Sequence, residues 1–498
     1  MIDHLVLRGK PTAPALILRD RTLSYEMLNL RIARLAQWLR DQGAKPGDRV
    51  ATWTGKGELA CIMPLAAARA GVVHVPVNPL LKHAQVAHIM ADSGAMLLLA
   101  NKARIAAMAE GDLNAGVTVC EESGCLAAID AMTQNGLYDP SAGDVDALAA
   151  ILYTSGSTGR PKGVMLSHAN LSLGAQSVSA YLELADDDVT LAVLPLSFDY
   201  GQNQLFSTWA AGGAVVPLDY LTARDVVKAC ARHQVTTLAA VPPLWVQIVE
   251  QDWPAESVAA MRRLTNSGGA LTVPLVRSLR AIFPQADIYA MYGLTEAFRS
   301  TYLDPALIDA KPTSMGGAIP FAEIMVIDKA GKECAPGEPG ELVHSGPLVA
   351  KGYWRDAERT AERFRPAPAG SRYGGMAVWS GDTVYRDADG LLYFVGRDDA
   401  MIKTSGNRVS PTEIEETAVG SGLVAEACAL GRKDERLGEA IVLFVRAAGK
   451  PDEDSLRHYL KANLPNFMQP AEIVWLDAFP KNANGKLDRN LLKERLAA

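Results

Sequence analysis

Short apolar runs recur along this chain with helical stretches between them. They are VVHVPV from Val72, AMLLLA from Ala95, ALAAILYT from Ala147, VTLAVLPLS from Val189, AVVPL from Ala214, TTLAAVPP from Thr236 and DIYAMYG from Asp287. Runs of this kind, buried on both faces, predict parallel or mixed sheets covered by helices. Ahead of them, Tyr25 to Gly43 reads as an amphipathic helix, with Leu28, Ile32, Leu35 and Leu39 on one stripe and Gly43 as its stop. From roughly Ala322 the texture changes to shorter strands with Gly and Pro turns, EIMVID, GELVHSG and LLYFVG, which predict a smaller β-rich portion attached to the α/β body.

A length of 498 residues exceeds one compact core. The boundary falls in GRDDAMIKTSGNRVSPTEIEE, giving a unit over 1–398 and a second over 399–498. There Ser410, with Glu413 three residues on, predicts a capping box that opens a helix. The last hundred or so residues then read as a small α+β domain: CALGRKDERLGEAIVLFVRA as paired strands, a helix around Leu456–Asn463, and a basic tail. Subtracting 56 acidic from 49 basic residues leaves −7, which argues against non-specific binding to nucleic acid or an anionic membrane. The six cysteines are scattered, with no zinc spacing, so reduced thiols are expected. No apolar run reaches the length of a membrane span, and MIDHLVLRGK is no secretory signal. These features together predict a cytoplasmic chain.

Four stretches carry chemistry. In ILYTSGSTGRPKGVMLSH, backbone N–H groups and the hydroxyls among Thr154, Ser155, Ser157 and Thr158 are of the kind that can be offered to an anion such as a polyphosphate, with Lys162 as a mobile cation. A Walker loop is excluded because Lys162 is followed by Gly163, and the dinucleotide G-x-G-x-x-G spacing is missing too. In IYAMYGLTEAF, Tyr292 offers a ring and Thr295-Glu296 a hydroxyl and a carboxylate able to hold Mg²⁺ with a phosphate oxygen. In WSGD, Asp382 follows a glycine, where it can take two ribose hydroxyls; in NANGKLDR, Lys486 sits on a short turn. Taken singly, each of these also reads as a core, turn or surface residue.

Their order is what discriminates. YTSGSTGRPKG, MYGLTE, GELVHSGPLVAKGYW, WSGD, GRDDAMIKTSGNRVSPTEIE, LPNFMQP and NANGKLDR resemble, across nearly the whole chain, the AMP-forming acyl-CoA ligases. That superfamily includes peptide-synthetase adenylation domains and firefly luciferase. SFDYGQNQL, AAVPPLWVQ, MYGLTEAFRSTYL and AVWSGDTV are most similar to acyl-CoA ligases of exosortase A systems, and SFDYGQNQL also to prolyl carrier-protein ligases.

The resemblance implies a large N-terminal domain, a small mobile C-terminal domain, and two steps. A carboxylate attacks the α-phosphate of ATP to give acyl-AMP and pyrophosphate; a thiol of CoA or of a separate carrier protein then displaces AMP. By the same resemblance, Thr154, Ser155, Gly156, Ser157, Thr158, Gly159 and Lys162 hold the β- and γ-phosphates. Tyr292 stacks near adenine, Thr295 touches the phosphate or acyl oxygen, Glu296 ligates Mg²⁺, and Asp382 and Arg397 hold the ribose. Lys486 serves adenylation. Rotation about Asp399 then brings the strand around Lys403 to the site, with Gly406 beside the pantetheine channel. The pocket is expected from Asp199, Tyr200, Asn203, Ser267, Gly268, Met291, Arg299 and Ser300.

Asp199 falls where amino-acid-activating relatives place the partner of the substrate ammonium. A buried carboxylate needs a cation, and two are available: a substrate amine, which makes a small amino or imino acid such as proline the leading expectation, or Arg299, which leaves a fatty or other non-amino acyl group. Oxygenase chemistry on the same scaffold and a non-catalytic binding module are the remaining alternatives, and the missing G-K-[ST] excludes a P-loop kinase.

Overall fold

The computed structural model describes residues 1–133, 138–154, 161–269, 271, 273–397, 401–480 and 489–497. The first long helix spans Tyr25–Asp41, opened by Ser24, whose side chain accepts from the Met27 amide. Its stripe of Leu28, Ile32, Leu35 and Leu39 is fully buried. Gly43 (φ 85°) adopts the left-handed conformation that a turn out of a helix favours.

Each apolar run forms a strand. A six-stranded sheet takes the spatial order Thr118–Glu121, Leu97–Ala100, Arg49–Trp53, Val73–Pro76, Leu148–Thr154 and Lys162–Ser167, parallel except for its last pair. A second sheet runs in parallel through Ala214–Pro217, Val189–Ala192, Thr237–Ala240, Arg263–Asn266 and Asp287–Tyr292. The helix Asp199–Ala211 is buried on both sides. Its Leu205, Phe206 and Trp209 join one large apolar cluster, while Tyr200 joins the other.

The β-rich portion is more tightly joined than its change of texture implied. From Asp287–Tyr292 the hydrogen-bonded path continues antiparallel through Thr301–Tyr302 and Ser314–Ala318 into Leu392–Arg397, Met376–Arg386, Gly340–Ser345 and Glu323–Ile327. The strand ending at Tyr292 is therefore the joint between the parallel and antiparallel parts, and the WSGD strand is fixed relative to it.

The small C-terminal domain pairs Ile402–Thr404 with Asn407–Val409, and Val424–Asp434 with Gly438–Ala447, with Glu472–Trp475 parallel to the latter. Helices Pro411–Gly420 and Glu453–Asn463 close its core through Ile414, Ala418, Leu456 and Leu460. The predicted capping box is not formed. Ser410 is the N-cap but its side chain makes no capping bond, and Glu413 instead accepts from the Gln85 amide of the large domain. The carboxylate that would close the box is drawn into the interdomain contact. No described helix is long and apolar enough to cross a membrane.

Candidate active site

Thr154 and Lys162 are Cα partners across an antiparallel pair. The glycine-rich loop thus joins two strands rather than a strand and a helix, which separates it physically from Walker and dinucleotide loops. Lys162 Nζ donates to Tyr353 Oη at 2.6 Å, and Tyr353 Oη donates to Glu296 Oε1 at 2.7 Å. Lys162 Nζ also lies 3.3 Å from Glu296 Oε1 and 4.1 Å from the centre of the Tyr353 ring. Burial works against the charge of Glu296, yet Lys162, then Arg408, Tyr353 and Arg363, outweigh it and hold the carboxyl well below its usual range. Burial pulls the Lys162 ammonium below its ordinary value, with Glu296 opposing.

Tyr292 ends its strand and donates its hydroxyl to Asp382 Oδ2. Asp382 is 1% exposed and is the Cα partner of Arg397 on the neighbouring strand. Gly381 before it holds φ 66°, a left-handed conformation that favours glycine. Ser155, Gly156, Ser157, Thr158, Gly159, Asp399 and Lys486 lie outside the described residues.

The other half of the site hangs on the turn after Tyr292. Thr295 Oγ1 donates to Asp199 Oδ1 at 2.9 Å. Arg299 Nη1 donates to Ser267 Oγ at 3.2 Å and lies 3.9 Å from Asp199 Oδ2, with its guanidinium 4.5 Å from the centre of the Tyr200 ring. Burial raises the Asp199 carboxyl above its ordinary value, opposed by Arg299 and Thr295. Phe298 holds φ 62°, a conformation that bulky residues rarely adopt, and it reverses the chain between Glu296 and Arg299. Tyr200 donates to the Thr265 carbonyl at 2.7 Å, Met291 Sδ accepts from Tyr181 at 2.9 Å, and Ser300 Oγ pairs with His344 Nδ1 at 2.9 Å. Asn203 is buried on the same helix as Asp199.

The small domain meets this cleft with its Gly406 side. At Gly406 (φ 75°) a Cβ would lie 2.5 Å from Val241 Cγ2, and a Cβ on Gly268 would lie 3.9 Å from the Gly406 carbonyl oxygen. Lys403 Nζ stands 4.5 Å from the centre of the Phe394 ring.

The AMP-binding enzyme family matches residues 5–354, and the AMP-binding enzyme C-terminal domain matches residues 413–486. The chain belongs to the AMP-binding enzymes. This AMP-binding enzyme is an ATP-using, adenylate-forming acyl or aminoacyl ligase, with the family's large N-terminal and small C-terminal domains. It is 33% identical to a feruloyl-CoA synthase of Amycolatopsis over 98% of this chain and 97% of that one. It is 32% identical to the peptide synthetase CymA of Salinispora arenicola over 97% of this chain, but it spans only 6% of that protein's length.

The Bacillus subtilis o-succinylbenzoate CoA synthetase, 26% identical over 99% of this chain, superposes with a TM-score of 0.88 over 98% of its length in a double mutant bound to its product analogue. In complex with its acyl-adenylate intermediate it superposes at 0.72, over 97% of its length. The domain arrangement of this AMP-binding enzyme is thus closer to that of the product-analogue complex, consistent with Gly406 rather than another face meeting the cleft.

Reading the sequence missed Tyr353, Arg363 and Arg408. Tyr353 sits in KGYW and Arg408 follows Asn407, both within stretches that carry the family resemblance. Residue type alone marks neither, because their roles come from a buried carboxylate on a distant turn.

Proposed function

We propose that this enzyme joins a carboxylic acid without a required α-ammonium group to AMP and then passes the acyl group to a pantetheine thiol. One observation carries the reading. The single turn Tyr292–Arg299 makes contact with Asp382 through Tyr292, with Asp199 through Thr295, with Lys162 through Glu296, and with Ser267 through Arg299. Nucleotide-facing and acyl-facing groups are held by one rigid piece, which suits two substrates that must meet in line.

In the first step a carboxylate oxygen attacks the α-phosphorus while the bond to pyrophosphate breaks. Lys162 and the loop from Thr154 would steady the departing phosphates, Asp382 and Arg397 the ribose, and Tyr292 the adenine side. Lys486 is assigned to this step. Mg²⁺ fits the donor set, because it needs only one or two carboxylates when phosphates and water supply the rest, and Glu296 offers one buried, ionised carboxylate. Held there, the ion would neutralise phosphate charge. In the second step the small domain, turned about Asp399, presents Lys403 and Gly406, and the thiolate adds to the acyl carbon as AMP leaves.

Asp199 decides between the substrate classes. Thr295 already donates to it, and Arg299 stands beside it as a buried cation, so a second cation from an α-amine is not required to balance it. Pyrophosphate exchange across amino acids and matched non-amino acids tests this. Non-amino acids should drive exchange, and Asp199→Asn should slow all of them alike. Exchange confined to amino or imino acids such as proline would restore the amine-pairing role. Mass spectrometry of CoA and of a phosphopantetheinylated carrier protein after turnover separates the two acceptors.

A further inference from the structure

Between the helix Asp199–Ala211 and the parallel strands lies a cavity of about 20 Å³ lined by Asn203, Gln204, Thr237, Met291 and Arg299 among others. That space holds little more than one water-sized group. Four of its lining side chains carry buried polar atoms with no hydrogen-bond partner: Nε and Nη2 of Arg299, Oδ1 of Asn203, Oε1 of Gln204 and Oγ1 of Thr237. Arg299 is 99% buried. Orphaned polar atoms in a protein interior are costly and are normally met by a partner. Donors from Arg299 and acceptors from Gln204 and Asn203 thus line one small cavity. Gln204 is held in that sense because its Nε2 already donates to the Tyr200 carbonyl at 3.3 Å.

We propose that this cavity reads a hydroxyl group at the far end of the acyl chain, so that the substrate is a hydroxylated carboxylic acid. This rests on the adenylation reading above and adds the substrate's distal chemistry to it. A hydroxyl is the size the cavity admits, and it can both accept from Arg299 and donate to Gln204 or Asn203. A second carboxylate is disfavoured because Asp199 and Arg299 already neutralise one another, and an added buried anion would lack a partner. A methyl terminus is disfavoured because it leaves every one of these polar atoms unmet.

The test is pyrophosphate exchange and steady-state thioester formation with short straight-chain acids, taken as matched sets: plain, ω-hydroxy and ω-carboxy members of equal length. The ω-hydroxy member of the best length should exceed its plain and dicarboxylic counterparts in kcat/KM by roughly tenfold or more, the discrimination a site built around a hydroxyl can supply. Gln204→Leu and Thr237→Val, which leave the Asp199–Arg299 pair in place, should shrink that ratio, as should Arg299→Met where it folds. Equal use of plain and hydroxy acids, or preference for the dicarboxylate, would mean the cavity merely holds a water and overturns the proposal alone. If no acid of any kind releases pyrophosphate, the adenylation reading fails, and this inference with it.

Discussion

Glu296 is ionised in a buried place because Lys162, Tyr353, Arg363 and Arg408 converge on it. Replacing it by glutamine leaves those groups facing a neutral amide and removes the proposed Mg²⁺ ligand. Acyl-AMP formation by Glu296→Gln should fall by about 10²–10³, the range seen when one preorganised charge-stabilising group is lost; pyrophosphate release checks it, and a near-normal rate would contradict the assignment. The order of motifs singles Glu296 out. That its neighbours are a tyrosine and two arginines from three other segments is not legible there, since such convergence depends on tertiary packing.

At the level of elements, the apolar runs and the first helix were readable because burial on both faces, or on one stripe, leaves a direct mark on residue type. The joining of the β-rich part into one hydrogen-bonded path was not, because backbone pairing between Thr301–Tyr302 and its neighbours leaves almost no signature in side chains. The capping box failed for a related reason: Ser410 and Glu413 are locally compatible, but Gln85 on another element competes for the carboxylate. The turn Ser405–Gly406 is equally specific to its contact. Gly406→Ala would combine an unfavourable left-handed residue, about 1–2 kcal/mol, with a Cβ 2.5 Å from Val241 Cγ2. Thioester formation from supplied acyl-AMP should slow by roughly tenfold or more, with acyl-AMP formation much less affected. Equal loss in both half-reactions would place Gly406 outside the thiol step.

Across the whole molecule, Glu413 links the two domains through Gln85. Burial raises its carboxyl from 4.5 to about 7, with Gln85 opposing and Glu416 adding to the rise. The sign follows from proton counting. Below 4.5 the carboxyl is protonated in contact or apart, and above about 7 it is ionised in both, so the contact weakens as pH climbs between those values and then levels off. Energy transfer between labels on the two domains should report more of this arrangement on the acid side, and Glu413→Gln should flatten the profile; an unchanged slope in that variant would remove Glu413 from the linkage. The two-domain architecture was legible in the sequence, whereas the arrangement emerges only from contacts such as Gln85–Glu413 and Gly406–Val241.

The central claim is that a carboxylate oxygen of the substrate attacks the α-phosphate of ATP, and isotope transfer tests it most directly. With the substrate carboxyl labelled in ¹⁸O, turnover to thioester should leave one labelled oxygen in the AMP and none in pyrophosphate. Label appearing in inorganic phosphate, with ADP as the nucleotide product, would contradict it.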